Sequence, residues 1–221
     1  MSLMMQALLK AGSGMVQAGL LLFVPAGTLA YPGAWAFMAL LFVPMLGVGT
    51  VLLLKSPELL RKRLNTRETE RTQGIVILLS SLLFVAAFVL AGLDFRFGWT
   101  HVPMAARGIA AVLLLLAYGL YMEVMRENAW LSRTVEVQQG QKVVDTGFYG
   151  IVRHPMYLAT LLLFLTIPLV LGSWVSFAVL LLMVPVLVLR ILSEEKVLVK
   201  GLEGYEAYRE KVRYRLLPGI W

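Results

Sequence analysis

The chain has 221 residues, 59% of them hydrophobic and only 15% charged, with a formal net charge of +7 and no cysteine. Ordinary soluble domains carry about a quarter charged residues; here the apolar surplus is gathered into blocks long enough to cross roughly 30 Å of hydrocarbon, which excludes a soluble domain and defines an integral membrane protein. The lack of cysteine excludes disulfides, thiolate metal sites and a cysteine nucleophile. The two histidines, His101 and His154, form no metal-ligand spacing, so no metal is expected.

Six apolar segments are predicted in chain order, at about 13–31, 34–54, 74–93, 105–125, 156–171 and 174–192. Each must be helical, because backbone amides cannot stay unpaired in lipid. Pro25, Pro44, Pro168 and Pro185 are placed to kink some of them, and Tyr31-Pro32-Gly33 and Gly172-Ser173 read as tight turns. Lys10, the apolar run from Met15 and Thr28-Leu29-Ala30 mimic a cleavable signal peptide. A second apolar segment follows almost at once, so the first is read as a retained helix. The expected fold is an all-α, polytopic helical bundle of about six apolar helices, the last two a short hairpin, followed by a short C-terminal helix.

Charge orients this bundle. Lys10, the loops 55–73 and 126–155, and the chain from residue 190 onward hold eighteen of the twenty basic residues. Only Arg96 and Arg107 fall on the other face. By the positive-inside rule both termini and the basic loops are cytoplasmic, in the cell membrane. Topology therefore explains the +7 charge, and no nucleic-acid partner is expected. Residues 1–125 form an N-terminal membrane region with a basic loop; residues 126–221 concentrate the polar groups capable of chemistry.

The hairpin 156–192 assembles those groups. Folding the chain about the Gly172–Ser173 midpoint sets Tyr157 level with Val188, His154 with Ile191 and Gly150 with Glu195. The Arg153–Tyr157 stretch thus lies beside Arg190, Glu194 and Glu195. Arms of about sixteen residues give only about 24 Å of helix, less than the bilayer core, so either the bilayer thins locally or the polar cluster lies sunk slightly below the headgroups. Pro155 suits the first helical turn, where the helix dipole, with donors from Arg153 and His154, favours an anion.

The series Arg153-His154-Pro155-Met156-Tyr157, Glu194-Glu195, Gly201 with Tyr205 and Tyr208, and Leu216-Leu217-Pro218 resembles the isoprenylcysteine carboxyl methyltransferase family. The likeness extends upstream to Glu127-Asn128 and Gly147-x-Tyr149, and covers about residues 126–221. It implies a membrane-embedded methyltransferase that uses S-adenosylmethionine, releases S-adenosylhomocysteine and acts on a lipophilic or prenyl-like acceptor taken from the lipid bilayer. Carried onto matching positions, the resemblance implies a cofactor site of Tyr149, Arg153, His154, Pro155, Tyr157, Glu194, Glu195, Tyr205, Tyr208, Leu216, Leu217 and Pro218. His154 and nearby backbone would hold the methionyl carboxylate. Tyr157 and a Glu194 or Glu195 carboxylate would take the amine and ribose hydroxyls, with the C-terminal tyrosines and Leu216–Pro218 against the adenosine. Arg190 is the candidate cation for a carboxylate acceptor, Glu194 the proton acceptor for an amine or thiol, and Asn128 an orienting donor. Two positions depart from the family pattern: Ala159 stands where many relatives have Gly, and Arg213 where a Pro often follows the valine.

Membrane sterol reductases share an Arg-His-Pro-x-Tyr stretch and bind NADPH, but usually carry Asn where Met156 stands and have longer chains. A non-enzymatic transport or interaction protein is a third reading. It is disfavoured because no ionisable residue lies mid-span in any apolar segment.

Overall fold

A computed structural model describes residues 2–64, 71–132 and 134–221; Arg67, Arg133 and the side chain of Arg71, three of the expected basic-loop charges, lie outside the described residues. Helices α1 (Leu3–Ala26), α2 (Pro32–Lys55), α4 (Arg71–Phe97) and α5 (Met104–Glu127) correspond to the first four apolar segments. Between them, α3 (Pro57–Leu64) occupies part of the basic loop. The hairpin is α6 (Pro155–Leu171) followed by α7 (Trp174–Leu181) and α8 (Met183–Gly201), and α9 (Tyr205–Lys211) is the expected C-terminal helix. Helix accounts for 76% of the described residues, and no strand occurs among them. Among the described residues, five stretches are long and apolar enough to cross a membrane.

Three boundaries differ from the sequence expectation. Helix α1 begins at Leu3, ten residues early, because the Ser2 side chain accepts the Met5 N–H and caps it there. The hairpin's second arm is one candidate span of 28 residues, Trp174–Gly201, rather than a short arm ending near residue 192. It continues through Arg190, Glu194 and Glu195 because partners on other elements satisfy those polar groups. The arm is interrupted at Leu182, where Pro185, three residues on, lacks the N–H that would bond back to Leu181. The first arm is short as expected: α6 has 17 residues, about 26 Å of helix.

The apolar core lies between α1, α2, α4, α5 and α6, around Leu22, Phe37, Phe88, Leu114 and Leu171. Helix α2 starts directly against the end of α6. There the Tyr31 hydroxyl donates to the Leu171 carbonyl at 2.8 Å, and a Cβ at Gly33 would stand 2.6 Å from the same oxygen. Small residues at such crossings let backbones meet, the usual device of helix packing in membranes. Near the hairpin turn, buried Asp94 accepts the Thr100 N–H at 2.7 Å and the hydroxyls of Thr100 and Ser173. That ties the end of α4 to Gly172–Ser173, leaving the opposite end of the hairpin to carry the site.

At that opposite end, Lys10 of α1 donates to the Leu64 carbonyl of α3. Lys62 and Arg63 of α3 donate to the carbonyls of Ala129 and Ser132. Lys62 also lies 5.3 Å above the Trp130 ring and Arg63 5.1 Å above that of Tyr121. The basic loop thus supports the segment that follows α5.

Candidate functional site

Three elements converge where α6 begins: the α5–α6 connection, the second half of α8, and the C-terminal tail. The connection enters through a 3₁₀ turn at Gly147–Gly150. Gly147 has φ +52°, and a Cβ there would overlap the Glu127 carboxylate, which accepts the Phe148 N–H at 3.1 Å. Only glycine allows the carboxylate to close on the turn in this left-handed conformation. The turn fixes Tyr149, whose carbonyl accepts the Tyr208 hydroxyl of α9 at 2.8 Å.

Arg153 and Glu195 form the buried centre of this junction. The Arg153 Nε donates to Glu195 Oε1 at 2.7 Å, and both side chains are almost fully enclosed. His154 Nε2 lies 3.3 Å from the same oxygen, and Arg215 Nε donates to Oε2 at 2.9 Å. The Arg153 Nη1 donates to the Val212 and Arg213 carbonyls, and the backbone N–H groups of Arg153 and His154 donate to the Tyr214 and Arg215 carbonyls. Donors expected from the sequence to receive a free anion therefore hold the tail instead. This tail in turn closes on itself, with the Trp221 carbonyl accepting the N–H groups of Arg215, Leu216 and Leu217.

Beside this clamp lies a cavity of about 430 Å³, within the range usual for small-molecule sites. One end is apolar, bounded by Phe84 of α4, Phe164 of α6 and Met183 of α8. The two phenyl rings meet edge to face with centroids 4.7 Å apart. At its other end the lining is polar and aromatic: Asn128, Tyr149, Arg153, His154, Tyr157, Arg190, Glu194, Tyr205 and Tyr208 all border it. Of the residues expected from the sequence, Pro155, Glu195, Leu216, Leu217 and Pro218 lie outside the lining. Glu195 instead anchors the tail, and Leu216 is buried while Leu217 is exposed.

Two helices meet in the middle of the cavity. Arg190 Nε donates to the Tyr157 hydroxyl at 2.9 Å, and that hydroxyl donates to Glu194 Oε2. The guanidinium lies 5.9 Å from the Tyr157 ring centroid. A chain of donors thus runs from α8 to α6 and back to α8. Three further lining tyrosines stay protonated: burial raises Tyr149, Tyr205 and Tyr208 well above the usual tyrosine range, and for Tyr205 the nearby Glu195 and Glu194 carboxylates add to the effect. Tyr205 is 4% exposed, and its hydroxyl is among the few buried polar atoms with no partner among the described residues.

Sequence reasoning missed one wall entirely. Trp130, Ser132, Thr134, Glu136, Gln141 and Lys142 of the α5–α6 connection border the cavity. Ser132, Thr134 and Glu136 share hydrogen bonds, and Val137 packs where a Cβ at Gly201 would come within 3.1 Å. No motif marks this segment; its alternation of polar and apolar residues was the only signal. Ala159, where relatives have Gly, is fully buried in α6.

Fold and cavity together define an integral membrane protein with a polar chamber at one end of a helical bundle. Residues 105–203 match the family described as phospholipid methyltransferase, a family that includes isoprenylcysteine carboxyl methyltransferases. The family implies methyltransferase activity. A search of curated proteins gave no significant match. The matched stretch includes Asn128 through Glu195, whereas Tyr205, Tyr208 and the tail lie beyond it.

Proposed function

We propose that the cavity binds S-adenosylmethionine between the tail and the α5–α6 connection, and that the chain transfers its methyl group to a lipophilic acceptor of the isoprenylcysteine carboxylate type. The observation that carries this reading is the unpartnered, buried Tyr205 hydroxyl in a cavity that is apolar at one end and aromatic and polar at the other. A buried hydroxyl without a partner costs free energy, and a ligand with polar edges would satisfy it. The donor set fits this cofactor. Tyr149, Tyr205 and Tyr208 offer rings to a purine, Glu194 a carboxylate to an ammonium or ribose, and His154 and Tyr157 lie beside them. When bound, the cofactor supplies an already activated methyl group on a sulfonium.

The protein then has three tasks. Tail and connection exclude water around the reacting atoms. The apolar end receives the hydrophobic part of an acceptor arriving from the bilayer. Arg190 orients a carboxylate acceptor for in-line attack, and Glu194 stands ready to take a proton from an acceptor that carries one. Both termini and the site face the cytosol in this reading, as the distribution of basic residues supports.

Calorimetric titration of the purified protein with S-adenosylhomocysteine tests it. His154→Ala and Glu194→Gln should each weaken binding by about tenfold or more, the loss expected for a hydrogen bond involving a charged group, with the protein still folded. Wild-type affinity in both variants would show that the cofactor lies elsewhere.

A further inference from the structure

We propose that Gln73 is a positioning residue for Arg190, so that α4, outside the family-matched residues, sets the acceptor side of the site. The inference rests on the reading that Arg190 orients the acceptor. Gln73 stands in the first turn of α4 and is wholly buried. An amide in such surroundings is costly unless its polar atoms are bonded. Here both ends engage the same residue: Gln73 Oε1 accepts Arg190 Nη1 at 2.8 Å, and Gln73 Nε2 donates to the Arg190 carbonyl at 3.3 Å. The orientation of the amide follows from chemistry, because a guanidinium can only donate.

The bracket ties the end of a long side chain to its own backbone. A free arginine carries about 2 kcal/mol of rotamer entropy, and this contact removes the freedom before any acceptor arrives. Tyr157 on α6 receives Nε from the other side at 2.9 Å, so the guanidinium is held between α4 and α6. A glutamine does this without adding a negative charge beside the cation, which a glutamate would.

A double-mutant cycle tests the assignment. Gln73→Met, Arg190→Met and the double variant are assayed for transfer of labelled methyl from S-adenosylmethionine to a host membrane lipid extract, and for S-adenosylhomocysteine affinity. Gln73→Met should lower kcat by about tenfold, the loss of one hydrogen bond to a charged group, with cofactor affinity unchanged. In the Arg190→Met background the same substitution should cost nothing further, since the two act as one unit. Gln73→Glu, which keeps the acceptor atom but adds a charge that competes with a carboxylate acceptor, should leave S-adenosylhomocysteine affinity unchanged and the rate low, and guards against a variant that fails to fold. Additive losses, or a wild-type kcat for Gln73→Met, overturn the proposal.

A second readout needs no activity. Modification of Arg190 by phenylglyoxal, followed by peptide mass spectrometry, should be faster in Gln73→Met than in the wild type. Faster modification in a protein that transfers no methyl would uphold the positioning and refute the methyltransferase reading. Unchanged modification would refute the positioning itself.

Discussion

Glu195→Gln should release the C-terminal tail. In the native protein one carboxylate meets Arg153 at 2.7 Å, His154 at 3.3 Å and Arg215 at 2.9 Å. The amide keeps the shape and one acceptor oxygen but removes the charge, leaving the Arg153 guanidinium enclosed without its carboxylate. Breaking a buried pair from one side costs about 3–5 kcal/mol. The retained oxygen and the part-exposed Arg215 place this case near the low end, at about 3 kcal/mol. Much of that cost is relieved if residues 212–221 detach, because Arg153 also holds the Val212 and Arg213 carbonyls. Opening of the tail should therefore become roughly a hundredfold more frequent. Trypsin cleavage at Arg213 and Arg215, followed by mass spectrometry under conditions where cleavage tracks the open population, reads this directly. Affinity for S-adenosylhomocysteine should fall with it, since α9 carries Tyr205 and Tyr208. A tail as resistant in Glu195→Gln as in the wild type would refute the argument that this carboxylate holds it.

Arg190→Leu should spare S-adenosylhomocysteine binding and lower turnover; unchanged turnover with the lipid extract would remove Arg190 from the acceptor site. Gly147→Ala should destabilise the 3₁₀ turn by at least about 1–2 kcal/mol, the cost of a side chain in left-handed backbone, with Glu127 displaced as well; an unchanged melting temperature would contradict the close packing described. The Lys211 hydrogen bond and charge lower the Asp145 pKa, so this contact stabilises α9 above the ordinary aspartate range and is lost as pH falls through the depressed value. Hydrogen exchange of the α9 amides, corrected for intrinsic rate, should rise on acidification in the wild type. In Asp145→Asn that rise should be absent, and equal profiles would exclude the contribution.

The membrane-spanning architecture was legible because apolar residues come in uninterrupted blocks and turns are marked by Gly and Pro. The register of the hairpin was less so. Counting equal distances from Gly172–Ser173 set Gly150 opposite Glu195, whereas Arg153, three residues nearer the turn, meets it. The interruption at Leu182 and the reach of an arginine side chain both escape such counting. Convergence of Tyr157, Arg190 and Glu194 survived the shift, since a helix returns the same face every three or four residues. The tail's grip on Arg153 could not be foreseen, because it is made by backbone carbonyls that any sequence presents. Gln73 was invisible for a related reason: a single polar residue at the end of an apolar block reads as a membrane boundary, and only packing shows that it faces Arg190.

The most direct test of the central claim is a paired titration of the purified protein in detergent with S-adenosylhomocysteine and with NADPH. Saturable, one-to-one binding of S-adenosylhomocysteine and no binding of NADPH is the predicted result. Tight binding of NADPH with none of S-adenosylhomocysteine would contradict it.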